Sequence, residues 1–157
     1  MSHRYWLMKS EPDAFGIDDL EVSKNQTTHW EGVRNYQARN FMRDDMKPGD
    51  LIFFYHSNAN PLAIVGTMKV ASEPYPDPSQ FDPNSKYFDE KATEENPRWY
   101  LVDVKLVEKF DKPVLRDDIK KEESLSDMLL IKRGSRLSIQ PVQEHEWNRV
   151  MEMAHSA

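Results

Sequence analysis

The pattern of apolar and polar positions along the chain predicts five strands. Residues 51–55 are apolar or aromatic throughout, which is typical of a central strand with both faces buried. Residues 100–106 show the strongest alternation and predict a strand with one buried face. The other predicted strands are residues 5–8, 62–70 and 136–140. Gly66 interrupts one of these runs and indicates a β-bulge or a close approach by another backbone.

Three segments have the spacing of amphipathic helices. They are a short acidic segment at residues 17–24, a second segment at residues 35–46, and a C-terminal one with Trp147, Val150, Met151 and Ala154 on one face. Residues 72–98 contain five prolines and few aliphatic residues, so we expect a long loop there, either functional or disordered. The expected fold class is α+β, with a twisted, antiparallel or mixed sheet of five or six strands and helices at its ends.

The length of 157 residues predicts one domain over residues 1–157. The absence of cysteine excludes disulfides, thiolate zinc sites and a cysteine nucleophile, and it fits a reducing cytosol. No segment approaches the roughly 20 apolar residues of a membrane span, and no signal-peptide pattern opens the chain. We therefore expect a cytoplasmic protein with no membrane partner. The sequence leaves its oligomeric state open.

The net charge of −6 argues against a protein that coats nucleic acid through counterion release alone. The cations are locally concentrated, however. Residues 128–143 contain Lys132, Arg133 and Arg136 and no acid. Ordinary solvation of a surface explains this distribution as well as a binding role does.

Motifs of catalysis and of cofactor binding are absent from the sequence. It contains neither of the glycine-rich phosphate-binding motifs, and His145 has no second histidine at metal-ligand spacing. We therefore expect no cofactor, no metal and no enzymatic activity. His56 and Ser57 are the one candidate pair of base and nucleophile, but neighbouring residues of a strand point to opposite faces.

Four short stretches combine an aromatic residue with a small hydroxyl residue and a cation or amide. They are residues 6–12, 30–36, 54–57 and 135–138. Planar ligands such as nucleobases need an aromatic face for stacking and polar groups that read their edges. Trp30 suits the first need, and Ser10 and Asn35 suit the second. Taken singly, Trp30 also fits a core residue, and Asn35 fits the N-cap of a helix beginning at Tyr36.

These stretches also carry a resemblance to a known family. The matching blocks are residues 5–12, 30–40, 47–50, 54–57 and 136–141. In these blocks the sequence resembles the EVE domain family, a branch of the PUA-like superfamily. The resemblance extends from Tyr5 to about Met153 and implies a small, curved, mixed sheet that closes toward a barrel, flanked by helices.

The resemblance also implies a ligand pocket, related to the one in which YTH domains hold a methylated adenine. In that comparison Lys9, Ser10, Glu11 and Trp30 line the pocket. The implied ligands are modified bases in DNA, such as 5-methylcytosine or 5-hydroxymethylcytosine. The preferred base does not transfer with the fold.

We therefore predict a binding protein that recognises a modified cytosine or adenine in DNA or RNA. The predicted ligand-binding residues are Lys9, Ser10, Glu11, Pro12, Trp30, Gly32, Val33, Asn35, Tyr36, Tyr55, His56 and Ser57. The predicted phosphate-binding residues are Arg34, Arg39, Lys132, Arg133 and Arg136, with Lys9 as a further candidate. Two alternatives stay open: a pocket for a free nucleoside or small metabolite, and a hydrolase that uses His56, Ser57 and a carboxylate such as Glu11.

Overall fold

The computed structural model describes residues 4–133 and 137–156. Its central feature is a curled, six-stranded mixed sheet with the strand order β2-β7-β4-β3-β1-β8. These strands are β1 (Tyr5–Ser10), β2 (Thr27–His29), β3 (Leu51–His56), β4 (Ala63–Val70), β7 (Asp103–Leu115) and β8 (Ile139–Val142). A separate pair joins β5 (Tyr75–Pro76) to β6 (Tyr100–Leu101).

In the described part of the chain, five short α-helices flank the sheet. They are α1 (Pro12–Phe15), α2 (Ile17–Val22), α3 (Tyr36–Asn40), α4 (Arg116–Lys121) and α5 (Glu144–His155). Helix α3 continues into a π-helical turn at Phe41–Asp45, and four 3-10 turns lie at Lys24–Gln26, Pro78–Phe81, Glu123–Leu125 and Leu129–Ile131. The predicted α+β class with a mixed, helix-flanked sheet is confirmed. No helix in the described ranges is long and apolar enough to cross a membrane.

The sheet separates two apolar cores. Strand β3 is buried on both faces, as its uninterrupted apolar run predicted. Phe54 and its neighbours on one face join the first core, which also contains Trp6 and Trp30. Phe53 on the other face joins the second core, where its ring stacks on Trp147 of α5 with a centroid separation of 3.9 Å. Alternation along β1 and β3 therefore decides which core each side chain enters.

Gly66 lies at a bulge in β4, as the sequence indicated. The register of β4 against β7 shifts between Ile64 and Gly66. A Cβ atom at Gly66 would overlap the carbonyl oxygen of Glu108 and the Cδ1 atom of Ile17. Both predicted reasons for a glycine, the bulge and the close backbone approach, therefore hold at this position.

Strands β7, β8 and β2 differ from the predicted pattern, and α1, α4 and the β5–β6 pair were not predicted. Strand β7 extends to Leu115 through a charged, proline-containing segment, because pairing with β4 outweighs weak local propensity. Strand β8 contains Pro141, which an edge strand tolerates, and the predicted strand start at Arg136 lies outside the described residues. Strand β2 has only three residues and was not predicted.

The predicted long loop at residues 72–98 is organised by buried polar side chains rather than by an apolar core. Gln80 is fully buried, and its amide nitrogen donates to the carbonyl oxygens of Asp77 and Trp99 at 2.8 and 2.7 Å. Its amide oxygen accepts from the backbone N–H groups of Arg98 and Trp99, both at 2.9 Å. One side chain thus satisfies four hydrogen bonds and closes the loop on itself.

Asp50 connects the turn before β3 to the start of β1. Its carboxylate is buried and accepts hydrogen bonds from Trp6 Nε1 at 3.0 Å, from the Lys47 backbone N–H at 3.0 Å and from the Arg4 backbone N–H at 3.2 Å. Three donors compensate the cost of burying this carboxylate. Asp50 therefore helps to set the position of β1 beside β3.

We expect Asp50→Ala to lower the free energy of unfolding by about 3 kcal/mol, because three donors lose a charged acceptor. Chemical denaturation followed by circular dichroism measures this change. Asp44→Ala is the control, because Asp44 is exposed and, among the described residues, forms its ion pair with the neighbouring Arg43. Equal stability of the two variants would contradict the anchoring role of Asp50.

Candidate functional site

The ends of β1 and β3 divide the predicted site residues between two faces of the sheet. The strands are parallel, and Lys9 pairs with Tyr55 while Ser10 pairs with His56. Tyr55 belongs to the second core, whereas Phe54 belongs to the first. Ser10 and His56 therefore share the face of Trp30, and Lys9 and Tyr55 lie on the opposite face.

An aromatic cluster forms on the face of Ser10 and His56. We use this name for Phe15, Trp30, Phe54 and His56. The Trp30 ring meets Phe15 and Phe54 edge-on, at centroid separations of 6.5 and 5.6 Å. His56 meets Phe54 in the same way at 5.5 Å. Residues from α1, from the segment after β2 and from β3 are thus brought into one continuous group.

Hydrogen bonds connect this cluster to the strand ends. The Ser10 hydroxyl donates to the Phe15 carbonyl oxygen at 2.6 Å. The Ile17 backbone N–H donates to His56 Nε2 at 3.1 Å. The Ser57 backbone N–H donates to the Ser10 carbonyl oxygen at 3.0 Å. The turn at residues 10–17 is therefore held against the end of β3.

His56 is held as a neutral imidazole by this arrangement. Because Nε2 accepts a backbone hydrogen bond, the ring proton resides on Nδ1. Burial lowers the pKa of His56 below its ordinary value of 6.5, and the nearby carboxylates of Asp18 and Asp19 oppose this effect only in part. Among the described residues Nδ1 has no hydrogen-bond partner, so its N–H group is a candidate donor to a ligand.

Trp30 is 8% exposed and belongs to the first core. Its backbone N–H donates to the Val102 carbonyl oxygen at 3.0 Å. Most of the Trp30 side chain is therefore buried, as expected for a core tryptophan. Phe15, whose ring meets Trp30 edge-on, is only partly buried.

The structure does not place Tyr55 and Lys9 beside Trp30. Tyr55 is 3% exposed and lies in the second core, on the other face of the sheet from the aromatic cluster. Lys9 shares that opposite face, since it pairs directly with Tyr55. Sequence proximity to Ser10 and His56 was misleading, because adjacent strand residues alternate between faces.

Asn35 is the N-cap of α3, as its spacing indicated. Its Oδ1 atom accepts from the Ala38 backbone N–H at 3.0 Å. Tyr36 stacks on Trp99 at a centroid separation of 4.8 Å, and the Arg39 guanidinium carbon lies 4.7 Å from the Tyr36 ring centroid. Tyr36 therefore packs against the segment that ends the long loop rather than against the aromatic cluster.

Arg34 is fully occupied by structural contacts, which argues against its predicted role as a phosphate ligand. Nε and Nη2 donate to the Tyr87 carbonyl oxygen, and Nη2 also donates to the Ser79 hydroxyl. Nη1 donates to the Val33 carbonyl oxygen and to Asp77 Oδ2. These contacts use all five guanidinium N–H groups.

Gly32 and Val33 also attach the segment after β2 to the long loop at residues 72–98. The Gly32 backbone N–H donates to Asp77 Oδ2 at 2.9 Å. Gly32 has a φ of 85°, and a Cβ atom there would lie 2.5 Å from the Tyr87 ring. Val33 is buried in the first core. Both residues position the chain, and the glycine is required for the close approach of Tyr87.

A cavity of about 510 Å³ lies next to this attachment and away from the aromatic cluster. Tyr87, Phe88 and Trp99 supply aromatic surface, while cations and acids share its border. Its volume falls within the range of small-ligand pockets. Most of its wall comes from residues 86–91, 98 and 99, and Arg34 is the one lining residue from a distant part of the sequence.

The remaining predicted contacts are spread around the molecule. Glu11 accepts a hydrogen bond from Asn58 at 2.7 Å, and Pro12 begins α1 beside Ser10.

Lys132 pairs with Asp127 at 3.1 Å, and Arg133 is exposed. Arg39 holds Asn40 and the Arg98 carbonyl oxygen with three of its N–H groups. Arg136 lies outside the described residues.

The predicted hydrolase triad is not assembled. Within residues 4–133 and 137–156, no hydrogen bond joins His56, Ser57 and Glu11, and His56 Nε2 is already occupied by Ile17. The same ranges contain no group of three histidine or acidic side chains that could hold a metal ion.

The curled mixed sheet with helices at its ends defines a PUA-like fold, in which the aromatic cluster lies where two parallel strands end. The model of the EVE domain matches residues 4–153, and the chain belongs to this family.

Proteins from several organisms are similar to this chain in sequence and fold. Human thymocyte nuclear protein 1 is 41% identical over 95% of this chain and 73% of its own length. The crystal structure of human THYN1 in complex with DNA containing 5-methylcytosine has a TM-score of 0.91 and 40% identity, covering 98% of this chain and 99% of that one. A Pseudomonas syringae protein has a TM-score of 0.90 and 43% identity, covering 96% of this chain and 99% of that one.

We expect Arg34→Gln to lower the free energy of unfolding by about 2–3 kcal/mol, because it leaves the buried Asp77 carboxylate without its cation. Denaturation in urea measures this loss. Arg43→Gln is the control, since Arg43 pairs with exposed Asp44. An Arg34 variant as stable as the control would restore Arg34 as a candidate phosphate ligand.

We expect the stability of the protein to fall as the pH drops from 8 toward 5, with His56 contributing to this loss. Because the folded pKa of His56 is lowered, the unfolded chain binds the proton more readily below pH 6.5. In His56→Gln the decrease in unfolding free energy should be smaller, whereas exposed His145→Gln should behave like the wild type. Parallel pH profiles for all three proteins would contradict this assignment.

Proposed function

We propose that this protein binds DNA carrying a modified cytosine and holds the modified base at the aromatic cluster. The observation that carries this proposal is the structural likeness to human THYN1 in complex with 5-methylcytosine DNA, at a TM-score of 0.91 over 98% of this chain. The proposed activity is binding without chemical conversion of the base. RNA containing a modified base is a second possible ligand, and the binding experiment below includes it.

The composition of the cluster supports recognition of a flat, polar ring. Trp30 and Phe15 offer aromatic surface, and stacking on aromatic side chains contributes on the order of 1–3 kcal/mol per base. The His56 Nδ1–H group can donate to a base acceptor. The Ser10 hydroxyl, whose proton is directed to the Phe15 carbonyl, can accept from an exocyclic amine. These two groups match the mixed donor and acceptor edge of cytosine.

A modification at the cytosine 5-position would add apolar contact. Burial of one carbon contributes roughly 0.8 kcal/mol, which corresponds to about a fourfold gain in affinity. Such a gain is too small for recognition by the methyl group alone. We therefore expect the modified base to be recognised together with its flanking phosphates, for which Arg39, Lys132, Arg133 and Arg136 remain candidates.

We expect Trp30→Phe to weaken binding of a 5-methylcytosine oligonucleotide by about fivefold, because it reduces the stacking surface while keeping an aromatic core residue. Fluorescence anisotropy with labelled DNA and RNA measures affinity for unmodified, 5-methylcytosine, 5-hydroxymethylcytosine and N6-methyladenine forms. Trp147→Phe is the matched control, since Trp147 is equally buried in the other core. Equal affinities of both variants for every oligonucleotide would refute the proposed site.

A second candidate function is binding of a free nucleoside or small metabolite. The cavity of about 510 Å³ beside Trp99 favours it. Phe88→Ala probes this alternative, because Phe88 lines the cavity and is 43% exposed. Loss of nucleoside binding in this variant, with weak dependence on salt, would favour the cavity over the aromatic cluster.

A further inference from the structure

Two cations lie on the sheet face opposite the aromatic cluster. Lys9 is on β1 and pairs in register with Tyr55 on β3. Tyr55 in turn pairs with Ile64 on β4, and Ile64 pairs with Val114 on β7. Arg116 follows directly as the first residue of α4, and its backbone N–H donates to the Leu62 carbonyl oxygen at 2.9 Å. Lys9 and Arg116 therefore lie at the same end of this face.

Neither cation has an acidic partner within residues 4–133 and 137–156. In the part of the chain that the structure describes, no ion pair or side-chain hydrogen bond involves Lys9 or Arg116. Residues 134–136 contain no acid in their sequence. Burial and the positive charge of Arg116 lower the pKa of Lys9, which indicates that the two cations repel each other. A partly buried, unpaired cation costs free energy, and a bound anion would offset that cost.

Tyr55 adds a hydroxyl group to this pair. Burial raises the pKa of Tyr55, so the hydroxyl stays protonated and can donate at neutral pH. The Tyr55 hydroxyl makes no hydrogen bond to any of the described residues. The charge of Asp117 also raises the pKa of Tyr55 and opposes the effect of Arg116 there. Two cations and one neutral donor match a phosphate group, which has only acceptor oxygens.

We propose that Lys9, Arg116 and Tyr55 form a phosphate-binding site. This inference rests on the proposed function for its ligand, a phosphate next to the base held at the aromatic cluster. Lys9 and Tyr55 each precede a residue of that site, Ser10 and His56, by one position. The base and its phosphate would thus contact opposite faces at the end of the same two strands. The 5′-phosphate of a free nucleotide has the same chemistry and is the other possible source.

The test compares the wild type with Lys9→Gln, Arg116→Gln and the double variant. Lys24→Gln is the control, because Lys24 is exposed, carries the same charge and precedes β2 at the opposite edge of the sheet. Affinity for single-stranded 5-methylcytosine and unmodified oligonucleotides is measured against salt concentration. Each removed phosphate contact should reduce the slope of log K against log salt by about 0.7. In the double variant this slope should fall by about 1.4, and in Lys24→Gln it should equal that of the wild type.

Calorimetry with 5-methyl-2′-deoxycytidine and its 5′-monophosphate identifies the source of the phosphate. If the Lys9 and Arg116 variants lose affinity for the oligonucleotide but not for the monophosphate, the site binds a backbone phosphate. If they lose affinity for the monophosphate but not for the oligonucleotide, the site binds a free nucleotide. Nucleoside binding should be unchanged in every variant. An equal loss of nucleoside binding, or salt slopes like those of Lys24→Gln, would overturn the phosphate site. If the wild type shows no preference for the modified oligonucleotide, the proposed function fails. The salt slopes on the unmodified strand still decide the phosphate site.

Discussion

The parallel pairing of β1 and β3 is the constraint on which the rest of the structure depends. Both strands are buried on both faces, so a shift of one residue would exchange the side chains of the two cores. The register pairs Ser10 with His56 on one face and Lys9 with Tyr55 on the other. Buried Asp50 stabilises this arrangement by connecting the turn before β3 to Trp6 on β1. The polar residues at the strand ends are thereby placed as precisely as the core itself.

A second level of organisation attaches the segment after Trp30 to the long loop. Arg34 and buried Asp77 form the centre of this attachment, and Gln80 closes the loop by four backbone hydrogen bonds. Such a polar network directs its donors and acceptors more strictly than apolar packing would. All five guanidinium N–H groups of Arg34 are used within this network. Lys9 and Arg116, in contrast, have no ion pair among the described residues.

The site that emerges is electrostatically modest, which agrees with a net charge of −6. The aromatic cluster presents neutral groups, since His56 is held deprotonated at Nε2 by the Ile17 backbone. Specificity for a base would arise from shape and hydrogen bonds, and affinity for its backbone from a few cations nearby. A protein of this kind would bind a short stretch of nucleic acid and would not coat it.

The sequence by itself determined the central strand at residues 51–55, the bulge at Gly66, the N-cap at Asn35 and the membership of the EVE family, because each depends on local pattern or continuous motifs. Only the tertiary structure decided that Tyr55 faces away from Trp30 and that Arg34 is saturated. It also brought Arg116 to the same sheet end as Lys9. These facts depend on strand register and on contacts between residues distant in sequence. Local propensity carries no information about such contacts.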